Sequence, residues 1–93
     1  MSDLHPYTPT PGPWRVAEGN PTLVFDNKHE EVAHCGNRYL ERPQQCLANT
    51  RLIAAAPDLL ASLRELLAGA PYGSEAAVYQ RARAAVLKAE GAE

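Results

Sequence analysis

Arg38, Tyr39, Arg42, Asn49 and Arg51 are the residues of this chain whose types and spacing suit a chemical task, and that task is binding. Guanidinium groups present planar forks that match phosphate oxygens and stack on bases. An asparagine amide both donates and accepts, and a tyrosine ring offers a stacking face. Arg42 and Asn49 are seven apart, two turns along one face if a single helix holds both. The set suits a small anionic nucleotide or an acidic protein surface. A solvated helix face with ordinary surface arginines has the same composition.

Other chemistry finds less support. His29, His34, Cys35 and Cys46 can ligate metals, but their spacing matches no paired-ligand pattern. His34 and Cys35 are adjacent, and on a strand their side chains would leave by opposite faces. The two cysteines read as small buried hydrophobes. A Cys–His nucleophile pair has no orienting third group and no oxyanion loop in the sequence. Glu30 and Glu31 alternate faces on a strand, which makes no acid–base dyad. The six glycines are scattered through turns and form no phosphate cradle. We therefore expect no catalytic residue, no metal and no cofactor.

The elements that must position the arginine cluster can be read from punctuation and period. Four of eight prolines fall in the first thirteen residues (Pro6, Pro9, Pro11 and Pro13), so residues 1–13 should form an extended arm, anchored on the core by Trp14. Strands are expected at 14–17, 22–25 and 31–35, separated by Glu18-Gly19-Asn20-Pro21 and Asp26-Asn27-Lys28-His29. Alternation would put Trp14, Val16, Leu23, Phe25, Val32 and His34 on one side. A helix should open near Pro43 and the helical run should end near residue 68; Pro57 either kinks one long helix there or opens a second one, with Asp58 at the start of the new turn. Its apolar stripe reads Leu52, Ile53, Ala56, Leu59, Leu60, Leu63, Leu66 and Leu67. Gly69-Ala70-Pro71-Tyr72-Gly73 breaks it, and Ser74 would cap a last helix over 74–90, with Glu75 in its first turn.

Strands followed by helices predict an α+β domain over 14–90, a small three-stranded antiparallel meander covered by a Pro-kinked helix and a C-terminal helix. A five-residue strand spans about 17 Å, whereas a helix over 52–67 rises about 24 Å. The surplus stripe must pack on the last helix or on another copy, and the second option predicts a homo-oligomer.

Composition narrows the class of function. Ninety-three residues, 45% hydrophobic and 22% charged, suffice for one small domain and argue against global disorder. A net charge of −2 argues against a sequence-independent nucleic-acid coat. No apolar run approaches the roughly 20 residues of a membrane span. The N-terminus carries acid and proline where a signal peptide carries base and an apolar block. Cytoplasmic residence, with both cysteines as thiols, is the expectation.

Two motifs, Thr10-Pro11-Gly12-Pro13-Trp14 and Ala48-Asn49-Thr50-Arg51-Leu52-Ile53-Ala54-Ala55-Ala56-Pro57-Asp58-Leu59-Leu60, resemble those of a family of small tailed-phage and prophage proteins. Val24-Phe25-Asp26 and Glu31-Val32-Ala33 resemble that family's strand–turn–strand. Thr50 stands where the family usually has alanine, and the loop over 26–31 lacks its common glycine. A remoter similarity is to the Thoeris anti-defence sponge proteins of phages, oligomers that sequester cyclic nucleotide signals. That similarity implies ligand contacts from Asn49 and Arg51; Arg38, Tyr39 and Arg42 join them on chemistry alone. The continuation Ala-Ala-Ala-Pro-Asp differs from the cysteine- and asparagine-containing one of those sponges.

Three functions follow as expectations. The first is a non-enzymatic counter-defence protein in the host cytoplasm that captures a cyclic nucleotide, with arginines on phosphate and Tyr39 or Phe25 against the base. The second is an anti-CRISPR type inhibitor that docks on a bacterial immune effector protein through Asp3, Glu18, Asp26, Glu30, Glu31 and Glu41. The third is a DNA- or replication-associated accessory protein with Arg81, Arg83 and Lys88 on phosphates.

Overall fold

A computed structural model describes residues 9–37, 39–70 and 76–91. The described chain is α+β: strands β1 (Arg15–Val16), β2 (Leu23–Phe25) and β3 (Glu31–His34), then helices α1 (Pro43–Ala54), α2 (Ala56–Ala68) and α3 (Ala77–Ala89). Two compact units divide it. One is Thr10–Asp58; the other comprises Met1–Pro9 with Leu59–Glu93.

In the first unit the three strands form an antiparallel sheet in the order β1-β2-β3, as the turn signals predict. Helix α1 packs against all three strands. Burial along β2 has period two: Thr22, Val24 and Asp26 are buried, and Val24 has no exposed surface at all. Val16, Val24 and Ala33 are cross-strand partners and therefore share that inner face. The alternation expected for β2 is thus one residue out, because Leu23-Val24-Phe25 is apolar throughout and offers no contrast to set the phase. A bulge compounds it. Val24 pairs with Ala33 but Phe25 pairs with Glu31, which leaves Val32 as the extra residue of β3.

Both turns are tied by an Asx side chain at their start. The Asn20 amide oxygen accepts the Thr22 N–H at 3.0 Å and the Thr22 hydroxyl at 2.6 Å. The Asp26 carboxylate accepts the N–H groups of Lys28 (2.8 Å) and Glu30 (2.9 Å). The Glu30 N–H, then that of Lys28, hold the Asp26 carboxyl below its ordinary range against the opposing effect of burial.

Helix α1 turns Cys46 and Thr50, four apart, onto the sheet. The buried Thr50 hydroxyl donates to the Cys46 carbonyl at 2.7 Å, so it enters the core satisfied. The helix starts at Pro43 as expected. It ends at Ala54, with Ala55 as its C-cap, so of the two outcomes expected at Pro57 the structure has the second helix rather than one kinked helix. Pro57 has no N–H to give the Ile53 carbonyl and its ring crowds the turn behind it, so the break precedes the ring. Pro57 then lies in the first turn of α2. Gly12 meets it there: a Cβ added at Gly12 would lie 2.7 Å from the Pro57 Cβ. Trp14 is half-buried, and its indole N–H donates to the Thr10 carbonyl at 3.1 Å.

In the second unit, Leu60, Leu63 and Leu67 of α2 are half-buried, whereas Leu59 and Leu66 are exposed. The expected single stripe is therefore split. Helix α3 runs over Ala77–Ala89 among the described residues, with Ala76 as its cap residue. Arg64 of α2 forms an ion pair with Glu90, just past α3. Residues 1–8 of the proposed arm, with Pro6 and Asp3, lie outside the described residues, as do Pro71, Tyr72, Gly73, Ser74 and Glu75. No helix among the described residues is long and apolar enough to cross a membrane.

Gly12→Ala should cost about 1–3 kcal/mol of stability through overpacking on Pro57, read as a lower urea midpoint. Gly19→Ala, where an added Cβ meets nothing within 4 Å, should change it by less than about 0.5 kcal/mol. Equal effects at the two sites would refute the packing role of Gly12. Asp26 gives a pH prediction with a definite sign. Its folded pKa lies below the unfolded value, so its contribution is present above the ordinary carboxylate range and lost as pH falls through the folded pKa. Asp26→Asn should therefore unfold at lower urea than the parent at neutral pH, and the gap should close in strong acid.

Candidate functional site

The end of β3 and the loop to α1 create the concave surface closest to the arginine cluster. An open groove of about 300 Å³ is lined by His34, Cys35, Asn37, Asn49, Leu52 and Ile53. Its apolar side comes from α1, where Leu52 and Ile53 follow Asn49 by three and four residues and so share its flank. The polar side comes from the loop. The Cys35 N–H donates to the Thr22 carbonyl at 2.8 Å, which extends the ladder one residue past β3. At Gly36 an added Cβ would lie 2.9 Å from His34 Nε2 and 3.0 Å from Thr22 Oγ1, so the missing side chain lets the imidazole fold over the loop. His34 and Cys35, expected on opposite faces, both border the groove because the strand ends between them. Among the described residues no hydrogen bond links the imidazole to the thiol, and both cysteines are free.

A second hollow, of about 490 Å³, adjoins the first through the shared Asn37 and is lined by Gly36, Tyr39, Leu40 and Glu41 as well. The Tyr39 N–H donates to the Gly36 carbonyl at 3.1 Å, a turn that brings the ring to this hollow. Leu40 is almost wholly exposed beside it.

The five expected ligand residues are not gathered into one pocket. Asn49 lines the first groove and Tyr39 the second. Arg42 is the N-cap residue of α1, exposed, and its side chain makes no capping hydrogen bond. Arg51 is exposed on α1, two residues from Asn49 and so roughly 200° around the helix. It faces away from the groove. Arg38 lies outside the described residues. Phe25, the alternative stacking ring, is a cross-strand partner of Arg15 and faces a different cavity. Sequence reading missed Asn37 as a lining residue because it reads only as a turn former, and it set His34 and Cys35 aside on strand alternation.

The environment of Arg42 is informative in itself. The start of α1 has no acidic residue in its first turn and a cation at the cap, where an acceptor would satisfy orphan N–H groups and oppose the helix dipole favourably. An anion bound there would supply what the sequence withholds.

One family model matches the chain, over residues 1–93, and it is described as Salmonella phage P22 protein Y8K6. No curated protein matches the chain, and no solved structure matches it.

Replacing Arg42 by Asp should raise stability by about 0.5–1.5 kcal/mol, through a capping bond and a favourable charge at the helix start. Urea unfolding of the purified variant reads this directly. A fall in the midpoint would mean that the guanidinium packs in the folded state rather than waiting on the surface.

Proposed function

We propose that this chain, which belongs to the Salmonella phage P22 protein Y8K6 family, is a non-enzymatic binding protein that captures a small anionic nucleotide in the host cytoplasm. In a phage product such capture serves counter-defence, by withdrawing a nucleotide signal of bacterial immunity. The observation that carries the reading is the groove where the amides of Asn37 and Asn49 stand beside the apolar Leu52 and Ile53. Amides that donate and accept suit the edges of a base, and the aliphatic side suits its face. Tyr39 in the adjoining hollow offers a second stacking surface, and Arg42 at the exposed start of α1 supplies charge for phosphate.

Arg51 enters this reading only through a second copy of the chain, since it faces away from Asn49. Arg38 joins as a further phosphate contact. Self-association through helices is therefore part of the proposal. Leu59 and Leu66, exposed and seven residues apart on α2, support it as an apolar strip at the spacing of helix pairing.

Calorimetric titration of the purified chain with cyclic di- and trinucleotides and cyclic ADP-ribose derivatives tests the reading. Submicromolar binding to one of them is expected, weakened about tenfold or more by Asn49→Ala while the far-UV spectrum is unchanged. Silence across the panel, with folded protein, sinks nucleotide capture and shifts weight to docking on an effector protein.

A further inference from the structure

The outer face of the sheet carries a third cavity, which the reading above does not use. It is an open trough of about 670 Å³ lined by Arg15, Ala17, Glu18, Phe25, Asn27 and His29, with Gly19 at its end. Arg15 and Phe25 are direct cross-strand partners, and they alternate with Val16 and Val24, whose side chains face inward. The guanidinium and the ring therefore stand side by side on the face away from α1. Phe25 is half-buried, so part of its ring remains open to a ligand.

His29 completes the arrangement. The Arg15 guanidinium donates to His29 Nδ1 at 2.5 Å, which joins β1 to the turn between β2 and β3. Arginine can only donate, so Nδ1 is the acceptor of this pair and Nε2 is the ring nitrogen left to donate. The turn is held by the two N–H bonds to the Asp26 carboxylate and by the His29 N–H to the Asp26 carbonyl at 3.1 Å. His29 itself sits in the left-handed region, at φ 65°, where a side chain other than that of glycine is disfavoured. A glycine would suit the turn better, and the sequence keeps an imidazole there.

The geometry points to a binding site for a nucleoside monophosphate. Arg15 and the Nε2–H of His29 provide donors for one phosphate, the Phe25 ring a face for the base, and Asn27 and Glu18 acceptors for an exocyclic amine. A single guanidinium beside a single imidazole fits one phosphate group rather than a polyphosphate chain. The site is separate from the groove at Asn37 and Asn49, so the two assignments stand or fall independently.

Titration of the isotopically labelled full chain with AMP, followed by NMR, tests it. AMP should shift the backbone signals of Arg15, Phe25, Asn27 and His29, and adenosine or inorganic phosphate alone should bind at least about tenfold more weakly. Arg15→Gln should weaken AMP binding about tenfold or more. His29→Gly should weaken it severalfold while the thermal midpoint holds or rises, because glycine relieves the turn and keeps the fold intact. Ser62→Ala, at an exposed position of α2 outside both sites, should leave it unchanged. The assignment is overturned if AMP moves none of these signals, if it moves only those of Asn37 and Asn49, or if Arg15→Gln and His29→Gly bind as the parent does.

Discussion

The packing of α1 on the sheet, with Val24 buried on one side and Cys46 and Thr50 on the other, is the constraint on which the first unit rests. Val24 and Thr50 are the only large side chains with essentially no exposed surface among the described residues, so a single layer of side chains separates sheet from helix. A core this thin supplies little hydrophobic stabilisation, since that scales with apolar area removed from water. Hence the weight carried by local bonds: the Thr50 hydroxyl on its own helix, and the Asx side chains that close both turns. Each lets a polar group enter or border the core with its partner already attached.

The thin core also decides where binding chemistry is found. With α1 covering one face of three short strands, the other face and the rim of the covered face stay open, and the three cavities lie there. The side chains lining them are fixed by backbone events rather than by deep packing. The ladder ends at Cys35, the loop passes through Gly36, and the β2–β3 turn swings His29 back to Arg15. Such sites form by position on a rigid sheet, the usual way loops acquire function.

Much of this was legible from the residues alone. Gly, Pro, Asn and Asp clusters mark both turns, and the order of strands before helices marks the α+β class, because turn chemistry is local and strong. Phase was less legible. Leu23-Val24-Phe25 has no polar member to show which residue faces in, and the bulge at Val32 shifts β3 by one on a cue that exists only in the paired sheet. The helix break lies at Ala55 because proline acts on the turn before it. The site was legible only in part. Asn49 stands in a groove, but Arg51 cannot share it at a spacing of two, and that much follows from helical period alone. The partners of Asn49 come from a loop twelve or more residues earlier, a juxtaposition that no local pattern encodes.

Two segments far apart in the sequence meet in space, and this bears on where function should be sought. Gly12 lies against Pro57, and Trp14 closes back on Thr10, so the Thr-Pro-Gly-Pro-Trp segment packs onto the Ala-Ala-Ala-Pro segment. A Cβ at Gly12 would intrude on the proline ring, which ties these residue types to one another for steric reasons. Residues engaged in closing the unit are poorly placed to contact a ligand as well. The groups left pointing outward are of another kind: Arg15, His29, Asn37, Arg42 and Asn49, polar, exposed or bordering a cavity, and in two cases seated where a different residue would stabilise the backbone better. Arg42 occupies a helix cap that suits an acceptor, and His29 a left-handed turn that suits glycine. A fold with so small a core has little stability to spare on misplaced residues, so these two positions are where the chain's chemistry should be looked for, rather than in the segments that close the unit.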